Sequence, residues 1–163
     1  MYMIQRVQTL YLLAIVALGI ALCFQSIVIF VSPEGAEVLR MWELSPIGLT
    51  ELSDTDLPPV ALQGLWGLTL TTALIPLLAL IDIFLYRKRI LQARLNIFLA
   101  LLCIGWYGVA YIYIWLMKTC VEDVVWSLDV WSAMPLVCFV LTLMATRRIL
   151  KDEALVRAAD RIR

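Results

Sequence analysis

The sequence predicts an all-α membrane protein: a bundle of four transmembrane helices, with cytoplasmic N- and C-termini and a short cytoplasmic C-terminal helix. Three observations predict it. Of 163 residues, 63% are hydrophobic and 16% charged, and mean hydropathy is +0.93. Soluble domains run nearer about half apolar and about a quarter charged, and so short a chain has too little interior to hide the surplus. The apolar residues are also gathered into four runs of roughly spanning length. Finally, Lys and Arg are confined almost entirely to the segments that alternate with those runs on one side.

The chain is expected to form a single integral membrane domain over residues 1–163. Its first span covers about residues 7–31, roughly 25 residues or about 37 Å of helix against a hydrocarbon layer of roughly 30 Å. A secretory signal has a shorter apolar core and a small-residue cleavage site. Lipoprotein processing at Cys23 is disfavoured because Leu22 stands where a small residue is needed. This is a retained helix. The outer loop, residues 32–59, is too long for a tight turn and too polar to span. Within it "EVLRMWEL" and "LTEL" around "SPIG" predict a short hairpin, with Met41 and Trp42 against the membrane surface. The loop is read as a cap on the bundle, with partner contact as the alternative.

The second, third and fourth spans cover about residues 60–86, 95–117 and 130–146. The fourth is short, and is extended backward through "VVWSLD". Pro76 and Pro135 fall inside the second and fourth spans and are expected to kink them. Glycines one turn apart in "GLWG" and "GWYG", with Ala17 and Ala21 in the first span, are expected to let helices pack closely within the bundle, with oligomerisation as the alternative.

Orientation follows from the cations. Eleven of the thirteen Lys and Arg residues lie at Arg6, in "RKRILQAR" (Arg87, Lys88, Arg89, Arg94) and in the tail. Only Arg40 and Lys118 lie on the other side, with nine acidic residues. The positive-inside rule therefore places both termini and the middle loop in the cytoplasm. Trp115, Trp126 and Trp131 flank the outer connection of the third and fourth spans, as interfacial anchors.

Composition narrows the chemistry. There is no histidine, which removes imidazole-based triads and zinc sites. The four cysteines form no C-x-x-C pair, and three lie in apolar runs as small hydrophobes. No phosphate-cradling glycine loop is present, and no nucleophile stands beside a base. The chain is accordingly expected to be no enzyme and to need no cofactor or metal. Its net charge is zero, and nucleic acid is not an expected partner.

Asp82 is the one acidic residue within a predicted span. Intramembrane carboxylates are costly and point to function. It lies five residues before Arg87, however, so an ion pair with Arg87, Arg94, Arg6 or Arg147 is the first reading. A transport, proton or partner role is the second. Gln25, Thr69, Thr71, Thr72 and Asn96 are expected to form helix–helix hydrogen bonds.

The tail, residues 147–163, has helical composition, with Glu153 four residues before Arg157. Leu155, Ala158, Ala159 and Ile162 share one face. Candidate cytoplasmic interaction residues are Arg87, Lys88, Arg89 and Arg94 in the middle loop, and Leu155, Arg157, Arg161 and Ile162 in the tail.

Three stretches together, "MIQRVQTLYLL", "RKRILQARLNIFL" and "RRILKDEALVRAADRIR", resemble a Bacteroidota family of small four-helix inner-membrane proteins classified as a domain of unknown function. The resemblance covers essentially the whole chain. It implies a bacterial inner membrane, and it carries no reaction and no catalytic residues. The expected function is that of a non-enzymatic accessory or scaffolding component of an envelope complex. Its partners would be the lipid bilayer and another membrane protein or a second copy. The alternative is a small transporter or channel using Asp82; a membrane thiol oxidoreductase is third.

Overall fold

The computed structural model describes residues 2–34, 38–46, 49–51, 65–85, 88–120 and 125–160. Among them four helices enclose the core and a small sheet covers one end. In chain order the elements are helix α1 (Tyr2–Cys23), strands β1 (Val28–Glu34), β2 (Val38–Leu44) and β3 (Leu49–Glu51), helix α2 (Trp66–Phe84), helix α3 (Arg89–Cys120), strand β4 (Val125–Leu128), a 3-10 turn (Val130–Ala133) and helix α4 (Met134–Asp160).

The buried residues of each helix follow a three-four spacing: Gln8, Leu12, Ile15, Gly19 and Leu22 on α1, Leu68, Thr72, Ile75, Ala79 and Asp82 on α2, and Pro135, Cys138, Thr142, Ala145 and Ile149 on α4. That spacing keeps one seam facing inward over several turns, as in bundles with small crossing angles. α1 packs against α2 and α4, and α3 packs against the same two. At one point α1 and α2 nearly touch. A Cβ built on Gly19 would lie 2.9 Å from Cδ of Pro76, so only glycine fits opposite the rigid ring. The close approach therefore belongs to Gly19, not to Ala17, which is exposed, or Ala21, which is half-buried.

Three helical stretches, Trp66–Phe84, Ile90–Thr119 and Val130–Lys151, are long and apolar enough to cross a membrane; the apolar part of α1, Gln8–Cys23, is shorter. Only 28%, 33% and 33% of the three apolar windows is buried inside the chain. Most of their apolar side chains therefore face outward, which is consistent with a membrane protein.

The sheet departs from the all-α expectation. Its order is β3-β2-β1-β4, with every pairing antiparallel. The β2–β3 hairpin is the one expected around "SPIG", with Glu43 opposite Thr50 and Leu44 opposite Leu49. The two further strands replace predicted helix. α1 ends at Cys23, so the apolar run to Val31 is divided between a helix and β1. Val28, Ile29, Phe30 and Val31 are β-branched or aromatic, and they find ladders on both sides: Phe30 faces Trp42 on β2 and Trp126 on β4. Residues 125–128, expected to extend the fourth span, are β4 instead. The sheet is anchored by Ile27, Val28, Phe30 and Leu44, all buried.

The helix ends differ as well. α3 is longer than the expected span at both ends, and α4 runs through Asp160 without a break at Thr146. The predicted separate tail helix is thus a continuation of α4. Pro135 is the second residue of α4, in the first turn, where a missing N–H costs no helical bond; it has no interior position from which to kink the helix. Pro76 does lie inside α2.

Candidate functional site

The three-residue seam step from Ala79 to Asp82 carries a carboxylate into the interior, because α2 repeats inward every three or four residues. Asp82 is fully buried, two residues before the end of α2. Four residues separate Phe84 from Arg89, and so short a link makes α2 and α3 antiparallel neighbours. The same link brings Gln92 and Asn96, one turn apart on α3, against Asp82.

Asn96 is also fully buried and donates from Nδ2 to Oδ2 of Asp82 at 2.6 Å and to the carbonyl of Gln92 at 3.3 Å. Gln92 donates from Nε2 to the backbone carbonyl of Asp82 at 3.2 Å. That carbonyl also accepts from the Leu85 N–H at 3.2 Å, which closes the last turn of α2. Two acceptors are left over: Oδ1 of Asp82 and Oδ1 of Asn96 are buried and without a hydrogen-bond partner. The Asn96 amide has two N–H donors, and both are engaged.

Neither Arg94 nor Arg147 forms the expected ion pair with Asp82. Among the described residues Asp82 is held by an amide, with no cation beside it. Arg94 lies two residues from both Gln92 and Asn96, about 200° around α3, and is exposed; Arg147 is exposed on α4. The side chains of Arg6 and Arg87 lie outside the described residues. Of the other candidates, Lys88 is exposed in the link, while the side chains of Arg89, Leu155, Arg157, Arg161 and Ile162 lie outside the described residues. Gln92 was missed by the sequence reading. The signal for it was its four-residue spacing from Asn96, which puts both amides on one face.

A second polar contact joins the same helices nearer the sheet. Trp106 donates from Nε1 to Oγ1 of Thr72 at 2.8 Å, and Thr72 donates to the Leu68 carbonyl at 2.7 Å. This bears out Thr72 as a helix–helix hydrogen-bonding residue, and Asn96 likewise. Thr69 and Thr71 also bond to backbone carbonyls, Thr69 to Leu65 and Pro46 and Thr71 to Gly67 and Leu68. They do not bridge α2 to another helix. Between these two side-chain contacts the interior is filled by Leu12, Ile15, Ile75, Leu99 and Cys103.

The glycines divide. The N–H of Gly67 donates to the Tyr113 hydroxyl at 3.3 Å, which serves one orphan donor at the start of α2. Gly105 and Gly108 face open space, with nothing within 4 Å of a Cβ built on either. The close packing within the bundle expected of them is absent. Gly64 lies outside the described residues. Among the described residues no three His, Cys, Asp or Glu side chains cluster to hold a metal ion.

Over residues 4–162 the sequence matches the family described as Domain of unknown function (DUF4293). The chain belongs to that family. No curated protein matches it.

Proposed function

We propose that this chain is a non-enzymatic integral protein of the bacterial inner membrane in Bacteroidota, and an accessory or scaffolding component of an envelope complex. Its four helices cross the membrane, both termini and the α2–α3 link lie in the cytoplasm, and the sheet lies outside. The basic link and the helical tail then offer cytoplasmic docking elements. The observation that carries the partner reading is the outward placement of Gly105 and Gly108 on α3. Each glycine costs a helix roughly 0.5–1 kcal/mol relative to alanine, and neither is used inside the chain. Small residues are the usual means by which membrane helices approach one another.

Affinity purification in mild detergent followed by mass spectrometry tests this. The expected result is recovery of a membrane protein or a second copy, lost when Gly105→Leu and Gly108→Leu are combined. Recovery of the chain alone, as a monomer, would count against it. Reporter fusions test the orientation: cytoplasmic activity at both termini and near Gln92, periplasmic activity near Ser53 and Glu122.

A second reading is favoured by one feature, the two orphaned oxygens beside Asp82. They suit a small transporter or channel in which a proton or cation visits the carboxylate. Ion movement by the purified protein in liposomes, abolished by Asp82→Asn, would favour that reading over the scaffold.

A further inference from the structure

Where α3 meets the sheet, the packing is incomplete. Ala110 is a small buried residue between Trp106 and Ile114 on α3, and β4 passes over it as an edge strand whose four residues are all exposed. The result is an open groove of about 180 Å³, lined by Val28, Ala110, Tyr111, Ile114, Trp126 and Leu128 among others. It exceeds the roughly 150 Å³ apolar cavity known to take up a benzene molecule.

The polar atoms around the groove are largely spent elsewhere. The Tyr107 hydroxyl donates to the Ser132 carbonyl at 2.9 Å and accepts the Leu136 N–H at 3.1 Å, so it caps the start of α4. The indole N–H of Trp106 is committed to Thr72. What remains is an apolar trough, open beside Tyr111 and Leu128, which are 68% and 56% exposed. At its edge the ammonium of Lys118 lies 5.3 Å from the ring centroid of Trp126, with no ion pair among the described residues.

We infer that this groove holds one acyl chain of a phospholipid from the surrounding leaflet, with the headgroup phosphate at Lys118. The inference rests on the reading that the helices span a membrane. The trough then opens at headgroup depth, where helix gives way to sheet, and runs toward the hydrocarbon beside the exposed Tyr111 of α3. An apolar trough with a cation at its rim matches the amphipathic plan of a phospholipid. Trp126 and Tyr111 give it the aromatic walls that favour the interface.

The test uses the full chain, purified from membranes in dodecyl maltoside, exchanged through detergent and examined by native mass spectrometry after adding palmitoyl-oleoyl phosphatidylglycerol. Wild type should retain a single lipid. Ala110→Phe, which fills the trough, should lower retention by about tenfold or more, and Lys118→Gln by a few-fold. Leu128→Lys, at an exposed position, places a charge in the trough and keeps the test decisive if the Ala110 variant fails to fold. Equal retention by wild type, Lys118→Gln and Leu128→Lys overturns the assignment. So does a lipid-free dimer that Leu128→Lys dissociates, because a second copy is then the occupant. Recovery of the chain in the soluble fraction would instead refute the membrane reading itself.

Discussion

Of the polar contacts that join α2 to α3, the two between buried side chains close their accounts of donors and acceptors differently. At Thr72 and Trp106 every polar hydrogen has an acceptor: the indole N–H goes to the threonine, and the hydroxyl passes its own proton to the Leu68 carbonyl. At Asp82 and Asn96 the acceptors outnumber the donors, and two buried oxygens are left over. A matched pair is simple adhesion between helices. A pair with surplus acceptors is held less completely, because each buried unpaired oxygen is costly.

That contrast can be broken by substitution. Asn96→Leu removes the side-chain donor from Asp82 and should cost the most, about 2–3 kcal/mol, because it leaves a further buried carboxyl oxygen unpaired. Thermal unfolding of the detergent-solubilised protein measures it. A loss no greater than that of Thr72→Val would show that Asp82 draws its support from elsewhere. Thr72→Val is expected to cost about 1–2 kcal/mol, by stranding the Trp106 N–H while keeping side-chain shape. Adding Trp106→Phe should not repeat that penalty in full, since the stranded donor is then gone.

The third change has the opposite sign. Asp82→Asn supplies donors where acceptors are in excess, and should raise stability by about 1 kcal/mol. If it lowers the melting temperature instead, the site needs a negative charge, and the transport reading gains. Gln92→Leu should have the smallest effect, about 0.5 kcal/mol, because the Asp82 carbonyl that it serves keeps the Leu85 N–H. A larger loss would mean that Gln92 positions the carboxylate as well as the backbone.

Much of this site is legible in the sequence. Asp82 stands out because it is acidic within an apolar run, and Asn96 because it is an amide within another. Their meeting was not legible. The nearest charges in sequence, Arg87 and Arg94, suggested an ion pair, yet helical geometry turns Arg94 away from the face that carries Asn96. Proximity along a chain is a poor guide to proximity across a helix pair. The glycines teach the same lesson: "GWYG" advertises close packing, and the structure turns it outward, while the lone Gly19 meets Pro76.

The apolar runs, the segregation of charge and the hairpin around "SPIG" can be read from the chain alone. These depend on sums over neighbouring residues, or on turn chemistry within a few positions. Packing of the folded chain is what makes residues 28–34 and 125–128 strands and lets the tail continue α4. It also decided that an amide holds Asp82 and that Ala110 leaves a groove. Strand pairing satisfies backbone groups through partners far along the chain, so an isolated apolar segment does not reveal whether it will be helix or strand. A buried polar atom likewise takes its partner from whichever helix packs against it, and that neighbour is a property of the fold.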